Sequence, residues 1–168
     1  MLWEIFNDIF VHGFPDRLQH LDLRQCRGDW RGSRGIDGDL GLAIARVQAS
    51  LRTLSLSGCA LSGCAMNPLI THQSIEAALR CPKLEALDLS DGALDVYTVL
   101  YADHHVSKSL RRLDVSENDM GDGNATFSSL LVLARRMPNL EELSLRACRL
   151  KPYPLVTLAN ESLKDRIR

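Results

Sequence analysis

The side chains of this chain with chemistry to offer are three aspartates that recur in step, five cysteines, a histidine pair and a cluster of arginines around one tryptophan. Asp22, Asp88 and Asp114 each sit between two apolar residues, in Leu21-Asp22-Leu23, Leu87-Asp88-Leu89 and Leu113-Asp114-Val115. A set of carboxylates can serve general-acid chemistry or hold a divalent cation. These three are spread over separate segments with no nucleophile or histidine constellation beside them, so they predict a polar surface and no catalytic residue. Cys59 and Cys64 lie close enough in sequence for a disulfide or half a zinc site, yet no second pair stands at metal-ligand spacing. His104 and His105 follow Asp103, but adjacent residues on a helix point apart, which favours a solvated face over a ligand pair. No metal and no cofactor is expected. Between Arg24 and Gly38 the chain is rich in glycine and arginine. There Arg27, Arg31 and Arg34 around Trp30 are suited to clasp an acidic protein segment or, less favoured by the chain's charge balance, to stack on an RNA base.

A phrase written five times, Leu-x-x-Leu-x-Leu/Val, positions these residues. It begins at Leu18, Leu51, Leu84, Leu110 and Leu140, with spacings of 33, 33, 26 and 30 residues. Self-similarity at such a period is the signature of a repeat architecture. Alternation with period two turns Leu21/Leu23, Leu54/Leu56, Leu87/Leu89, Leu113/Val115 and Leu143/Leu145 to one side of short strands and the intervening residues to the other. Strands joined by long crossovers stack in parallel, so the connecting segments must cover the buried face. Apolar residues at three- and four-residue intervals predict helices from Leu40 to Ser50, His72 to Cys81, Leu94 to Val106 and Phe127 to Met137. Pro15, Pro82 and Pro138 stand two or three residues ahead of a phrase-opening leucine, where proline ends a helix and fixes an extended approach to the strand. Ser57-Gly58, Asp91-Gly92 and Gly121-Asp122-Gly123 mark the turns that leave the strands.

The outward columns of the predicted sheet are then legible directly. Ahead of the first inward leucine come His20, Thr53, Ala86, Arg112 and Glu142, and between the inward pair come Asp22, Ser55, Asp88, Asp114 and Ser144. After them come Arg24, Ser57, Ser90, Ser116 and Arg146, with Gln25, Gly58, Asp91, Glu117 and Ala147 alongside. The expected partner-binding residues on this face are Asp22, Arg24, Asp88, Asp91, Arg112, Asp114, Glu117, Glu142 and Arg146. Its small, acidic centre suits a basic or polar partner. It lacks the Trp, Tyr and Phe that anchor tight interfaces.

The phrases resemble the ribonuclease-inhibitor-like class of leucine-rich repeats, in which an Asn or Cys sits at the ninth position. Here that position is Cys26, Cys59, Gly92, Asn118 and Cys148, so four of five copies match. A side chain there lies inside the turn, where it can satisfy buried backbone groups. The resemblance covers Leu18 to roughly Leu158 and implies an α/β solenoid, a horseshoe with a parallel sheet on its concave face and helices on its convex face. On this reading residues 1–17 form a capping helix, 18–162 the five repeats, and 163–168 a truncated sixth repeat or tail. The class implies protein partners, no cofactor and, for most members, no catalysis. The chain is therefore expected to be a non-enzymatic interaction module, a scaffold or a subunit of a larger intracellular assembly. Two alternatives follow from resemblance alone. The string from Leu2 to Phe10 is similar to part of an F-box, which would imply a substrate-recognition subunit of a ubiquitin ligase. The repeat class is shared with Ran-type GTPase-activating proteins, although no catalytic loop matches residue by residue.

Composition bounds the rest. The 168 residues suit one domain, and an aromatic fraction of 5% fits a core of stacked aliphatic ladders. Twenty lysines and arginines against 21 acids give no global pull towards nucleic acid or an anionic membrane. No apolar run approaches the roughly 20 residues that span a bilayer. The odd cysteine count and the acidic residues Glu4 and Asp8 in the opening stretch predict reduced thiols and a cytoplasmic, reducing location.

Overall fold

The computed structural model describes residues 17–25, 36–59, 72–92, 108–118 and 137–148. Each phrase places a three-residue strand at the same offset: β1 His20–Asp22, β2 Thr53–Ser55, β3 Ala86–Asp88, β4 Arg112–Asp114 and β5 Glu142–Ser144. The strands form one open parallel sheet in the order β1-β2-β3-β4-β5, so neighbours in sequence are neighbours in space. Leu21, Leu54, Leu87, Leu113 and Leu143 fall in one row of the register. This is an α/β arrangement.

Hydrogen bonding extends beyond the strands with the same geometry at every step. The Gln19 carbonyl accepts from the amides of Arg52 at 2.7 Å and Thr53 at 3.0 Å, and the Arg111 carbonyl accepts from Glu141 at 2.8 Å and Glu142 at 2.9 Å. Past the strands, the amides of Gln25, Gly58, Asp91 and Glu117 donate to the carbonyls of Ser57, Ser90, Ser116 and Arg146 at 2.8–3.0 Å. Equal phrases therefore stack because each presents the same donors and acceptors at the same offset.

Two helices are defined among the described residues, α1 Ile36–Val47 and α2 His72–Leu79. They pack on each other and on the leucine side of the sheet, where Leu40, Ile44, Val47, Ile75, Ala78 and Leu79 join the strand leucines in one core. The first helix departs from the sequence reading. It starts four residues before Leu40, in what reads as loop, because Ile36 continues the four-residue spacing of Leu40 and Ile44. It stops at Val47, whose carbonyl accepts from the amides of Ser50 and Leu51, both at 3.0 Å. Ser50 Oγ also donates to the Leu18 carbonyl at 2.8 Å, and Ser109 Oγ does the same to the Leu84 carbonyl. At these two phrases a hydroxyl just ahead of the opening leucine ties the arriving segment to the phrase before it.

The leucine ladder is deepest inside the sheet. Leu54, Leu56, Leu87, Leu89, Leu113 and Val115 are buried, and Leu51, Leu84 and Leu110 are fully enclosed. Leu143 and Leu145 on β5, read as inward with the others, are only half-buried. Among the described residues β5 has a strand neighbour on one side only. The predicted helices at 94–106 and 127–137, the capping segment 1–16 and the tail 163–168 lie outside the described residues.

Candidate functional site

On the face away from the core, the register lines up His20, Thr53, Ala86, Arg112 and Glu142 in one column and Asp22, Ser55, Asp88, Asp114 and Ser144 in the next. These residues line an open depression of about 490 Å³ that crosses all five strands, with Arg24 at one end. Its floor is small at β3, where Ala86 stands between Thr53 and Arg112.

The aspartates of this face have work within their own turns. Asp22, Asp88 and Asp114 each accept, through Oδ1, the amide of the residue two positions on, at 3.0, 3.0 and 2.9 Å. A carboxylate accepting that amide closes a turn that mimics a backbone bend. Asp22 also holds Arg24, whose Nε contacts both carboxylate oxygens at 2.9 Å and whose guanidinium reaches Oδ2 at 2.6 Å. That hydrogen-bonded guanidinium keeps the Asp22 carboxyl below its ordinary value. Asp88 is more fully engaged. Its Oδ1 accepts from Ser90 Oγ at 2.7 Å and its Oδ2 from Ser55 Oγ at 2.8 Å, and Ser90 Oγ lies 2.8 Å from Ser57 Oγ, whose hydroxyl can donate to it. At the other flank Ser116 and Ser144 share a hydrogen bond of 2.6 Å. His20 Nδ1 meets Thr53 Oγ1 at 2.8 Å, closing the first column at its β1 end. The central strands are thus knit by their own hydroxyls and carboxylates.

The turns that follow share a feature absent from the sequence reading. Gln25, Gly58, Asp91, Glu117 and Ala147, one per phrase, all have positive φ between 48° and 66°. Only one is glycine, so four residues accept a backbone conformation that costs a side chain about 1 kcal/mol or more. Gly58 carried the signal, because equal positions in a repeat share a backbone path. The ninth position lies just beyond. Asn118 Nδ2 donates to the carbonyls of Leu89 at 2.9 Å, Val115 at 2.8 Å and Ser116 at 3.2 Å, while its Oδ1 accepts the Gly92 amide at 3.0 Å. Cys59 Sγ donates to the Leu23 carbonyl at 2.9 Å and Cys148 Sγ to the Val115 carbonyl at 3.1 Å. Cys59, Cys81 and Cys148 are buried thiols. Burial pushes the Cys81 thiol up to about 11 and raises that of Cys148. Such thiols are poor nucleophiles and poor ligands. Cys26 and Cys64 lie outside the described residues.

Among the residues read as partner contacts, Glu117 and Arg146 meet in an ion pair of 2.8 Å across the β4–β5 turns, and Asp22 and Arg24 pair within one turn. Asp91 is half-buried in the left-handed turn position. Arg112 and Glu142 are exposed register partners on neighbouring strands and line the depression. Arg27, Trp30, Arg31 and Arg34 lie outside the described residues. One column escaped the sequence reading entirely. The second residue of each phrase reads Gln19, Arg52, Glu85, Arg111, Glu141, an alternation of charge along the rim. Arg52 pairs with Glu85, and Arg111 pairs with Glu141 at 2.7 Å. The alternation was visible in the aligned phrases once the second column was read down.

Among the described residues no group of three His, Cys, Asp or Glu is placed to hold a metal ion, and no helix is long and apolar enough to cross a membrane. The family model described as a leucine-rich repeat matches residues 106–123, the stretch that contains β4, its turn and Asn118. That stretch is similar to a leucine-rich repeat. Domains built from such repeats are typically interaction modules without catalytic activity, and the match indicates protein partners. No curated protein matches the chain.

Proposed function

We propose that this chain is a non-enzymatic leucine-rich-repeat module of the ribonuclease-inhibitor-like class, a curved solenoid that serves as a scaffold or as a subunit of a larger assembly. The observation that carries this reading is the depression across the five strands, lined by polar side chains held in register by the sheet. The conserved geometry of the five phrases supports a continuous curved stack, with the polar columns on its inner face. Preorganised side chains lose little conformational freedom on binding, so a rigid sheet suits a partner that is recognised by shape and charge. The absence of large aromatic side chains from the lining residues points to a broad polar contact in place of one deep anchor. Arg27, Trp30, Arg31 and Arg34 are proposed as a second set of contacts to the partner.

A photo-cross-linking residue placed at Ala86, in the floor of the depression, tests the reading. The control carries the same residue at Gln48, on the outer surface by α1. Covalent capture of a defined partner protein at Ala86 and not at Gln48 is expected. Capture at Gln48 alone would move the interaction surface to the helices.

A further inference from the structure

Charges around the face are mostly spent within the molecule. Arg24 holds Asp22, Arg52 holds Glu85, Arg111 holds Glu141 and Arg146 holds Glu117. Asp88 gives both oxygens to serines. Arg112 and Glu142 are different. They are direct register partners on β4 and β5, both exposed, both lining the depression, and neither makes a side-chain hydrogen bond or ion pair among the described residues. Arg111 and Glu141 one residue earlier do pair. A cation and an anion side by side on rigid strands, unspent, form a doublet that a complementary doublet can read.

The spacing of the columns restricts what can carry that doublet. Neighbouring strands are about 4.8 Å apart, so successive members of a column recur at about that interval across the sheet. Along an α-helix, residues i, i+3 or i+4 and i+7 share a face and advance by about 4.5–6 Å and then about 10.5 Å. Across three strands this stays within about 1 Å of the column spacing. In an extended segment same-side residues advance by about 6.7 Å and fall out of step by about 4 Å over the same distance. Ala86 keeps the first column low at β3, and the second column runs Ser55, Asp88, Asp114 and Ser144, so a helix ridge seated on Ala86 lies beside carboxylates that favour its basic residue.

Resting on the interaction-surface reading above, we infer that the partner presents an amphipathic α-helix lying across the strands, with an acidic residue opposite Arg112 and a basic residue three or four positions away opposite Glu142. The probe is an alanine-based, fluorescein-labelled helical peptide about 16 residues long, roughly the width of the sheet, with Glu and Lys at i and i+4. Comparison peptides carry Lys at both positions, or a central proline that breaks the helix. Anisotropy titrations with the intact protein are expected to show the Glu/Lys peptide binding about fivefold tighter than the Lys/Lys peptide, a difference typical of one exposed ion pair. Arg112→Glu should reverse that order, and the proline peptide should lose binding to both proteins. Equal affinity for the proline peptide, an unchanged order in the Arg112→Glu protein, or no binding of any peptide overturns the helix. Capture of a partner at Ala86 together with any of those results leaves the surface reading standing and removes only the helix, whereas loss of capture at Ala86 removes both.

Discussion

Asn118 shows how much one side chain carries in this architecture. It is fully buried, and its amide joins the Gly92 amide to three carbonyls drawn from two phrases. Asn118→Ala leaves those groups without their partner in a buried turn and is expected to cost about 2–4 kcal/mol. Asn118→Cys keeps a weak donor of the kind Cys148 supplies to Val115, so its loss should be smaller. Urea unfolding with an unchanged slope measures both; equal losses would mean that the weak donor retained by Cys contributes nothing at this position. The thiols predict a pH effect with a definite sign. Burial holds the Cys81 thiol neutral up to about 11, above its ordinary value of 9.0. Its stabilisation is fully present below the unfolded value and is lost as pH rises towards the folded one, because the unfolded chain releases the proton first. Thermal melts should therefore fall between about pH 9 and pH 11 more steeply in the native sequence than in Cys81→Ala. In the same buffers at pH 8, iodoacetamide should leave Cys59, Cys81 and Cys148 unlabelled until the protein unfolds.

At the scale of elements, the turn after each strand is the unit that the sequence half disclosed. Strand positions, the parallel order and the facing columns were legible because alternation with period two and a repeated phrase leave one register open. The helix start at Ile36 was hidden by the glycines and aspartates around it, which locally signal a loop. The turn-closing role of Asp22, Asp88 and Asp114 was hidden for a related reason. Their position on the outer face was visible, but the amide two residues on that each one binds is a property of the turn's path. The rim ion pairs were missed because they link residues 30 or more apart. The left-handed column gives a direct test. Gly58 has φ 66°, and a Cβ there would run into the side-chain amide of Gln25. Gly58→Ala should destabilise by more than about 1 kcal/mol. Adding Gln25→Ala should restore the part of that loss due to the clash and leave the part due to backbone conformation. A full restoration would mean that the conformation costs nothing at this site, in line with its adoption at the four side-chain-bearing positions that share it.

For the molecule as a whole, the linear strand order makes stability a matter of neighbours. Each strand hydrogen-bonds only to the strands before and after it, and α1 packs on α2 alone among the helices described. In such an array the energy is close to a sum of terms within phrases and terms between adjacent phrases. Two consequences can be separated by mutation. An interior leucine has packed neighbours on both sides, so Leu87→Ala should cost about 3–5 kcal/mol, while Leu143→Ala, at the half-buried edge, should cost about half as much. Coupling should then follow distance along the stack. Leu87 and Leu113 are register partners, and the milder changes Leu87→Val and Leu113→Val, chosen so that the double variant stays folded, should interact by 0.5 kcal/mol or more in a double-mutant cycle, about the lower end for touching residues. Leu54 and Leu143 are separated by three strand spacings, about 14 Å, and their Val changes should add within about 0.5 kcal/mol. Equal coupling in the two cycles would show that strain spreads through the whole sheet, and a surface of preorganised columns would then be a property of the assembly of phrases and not of each adjoining pair.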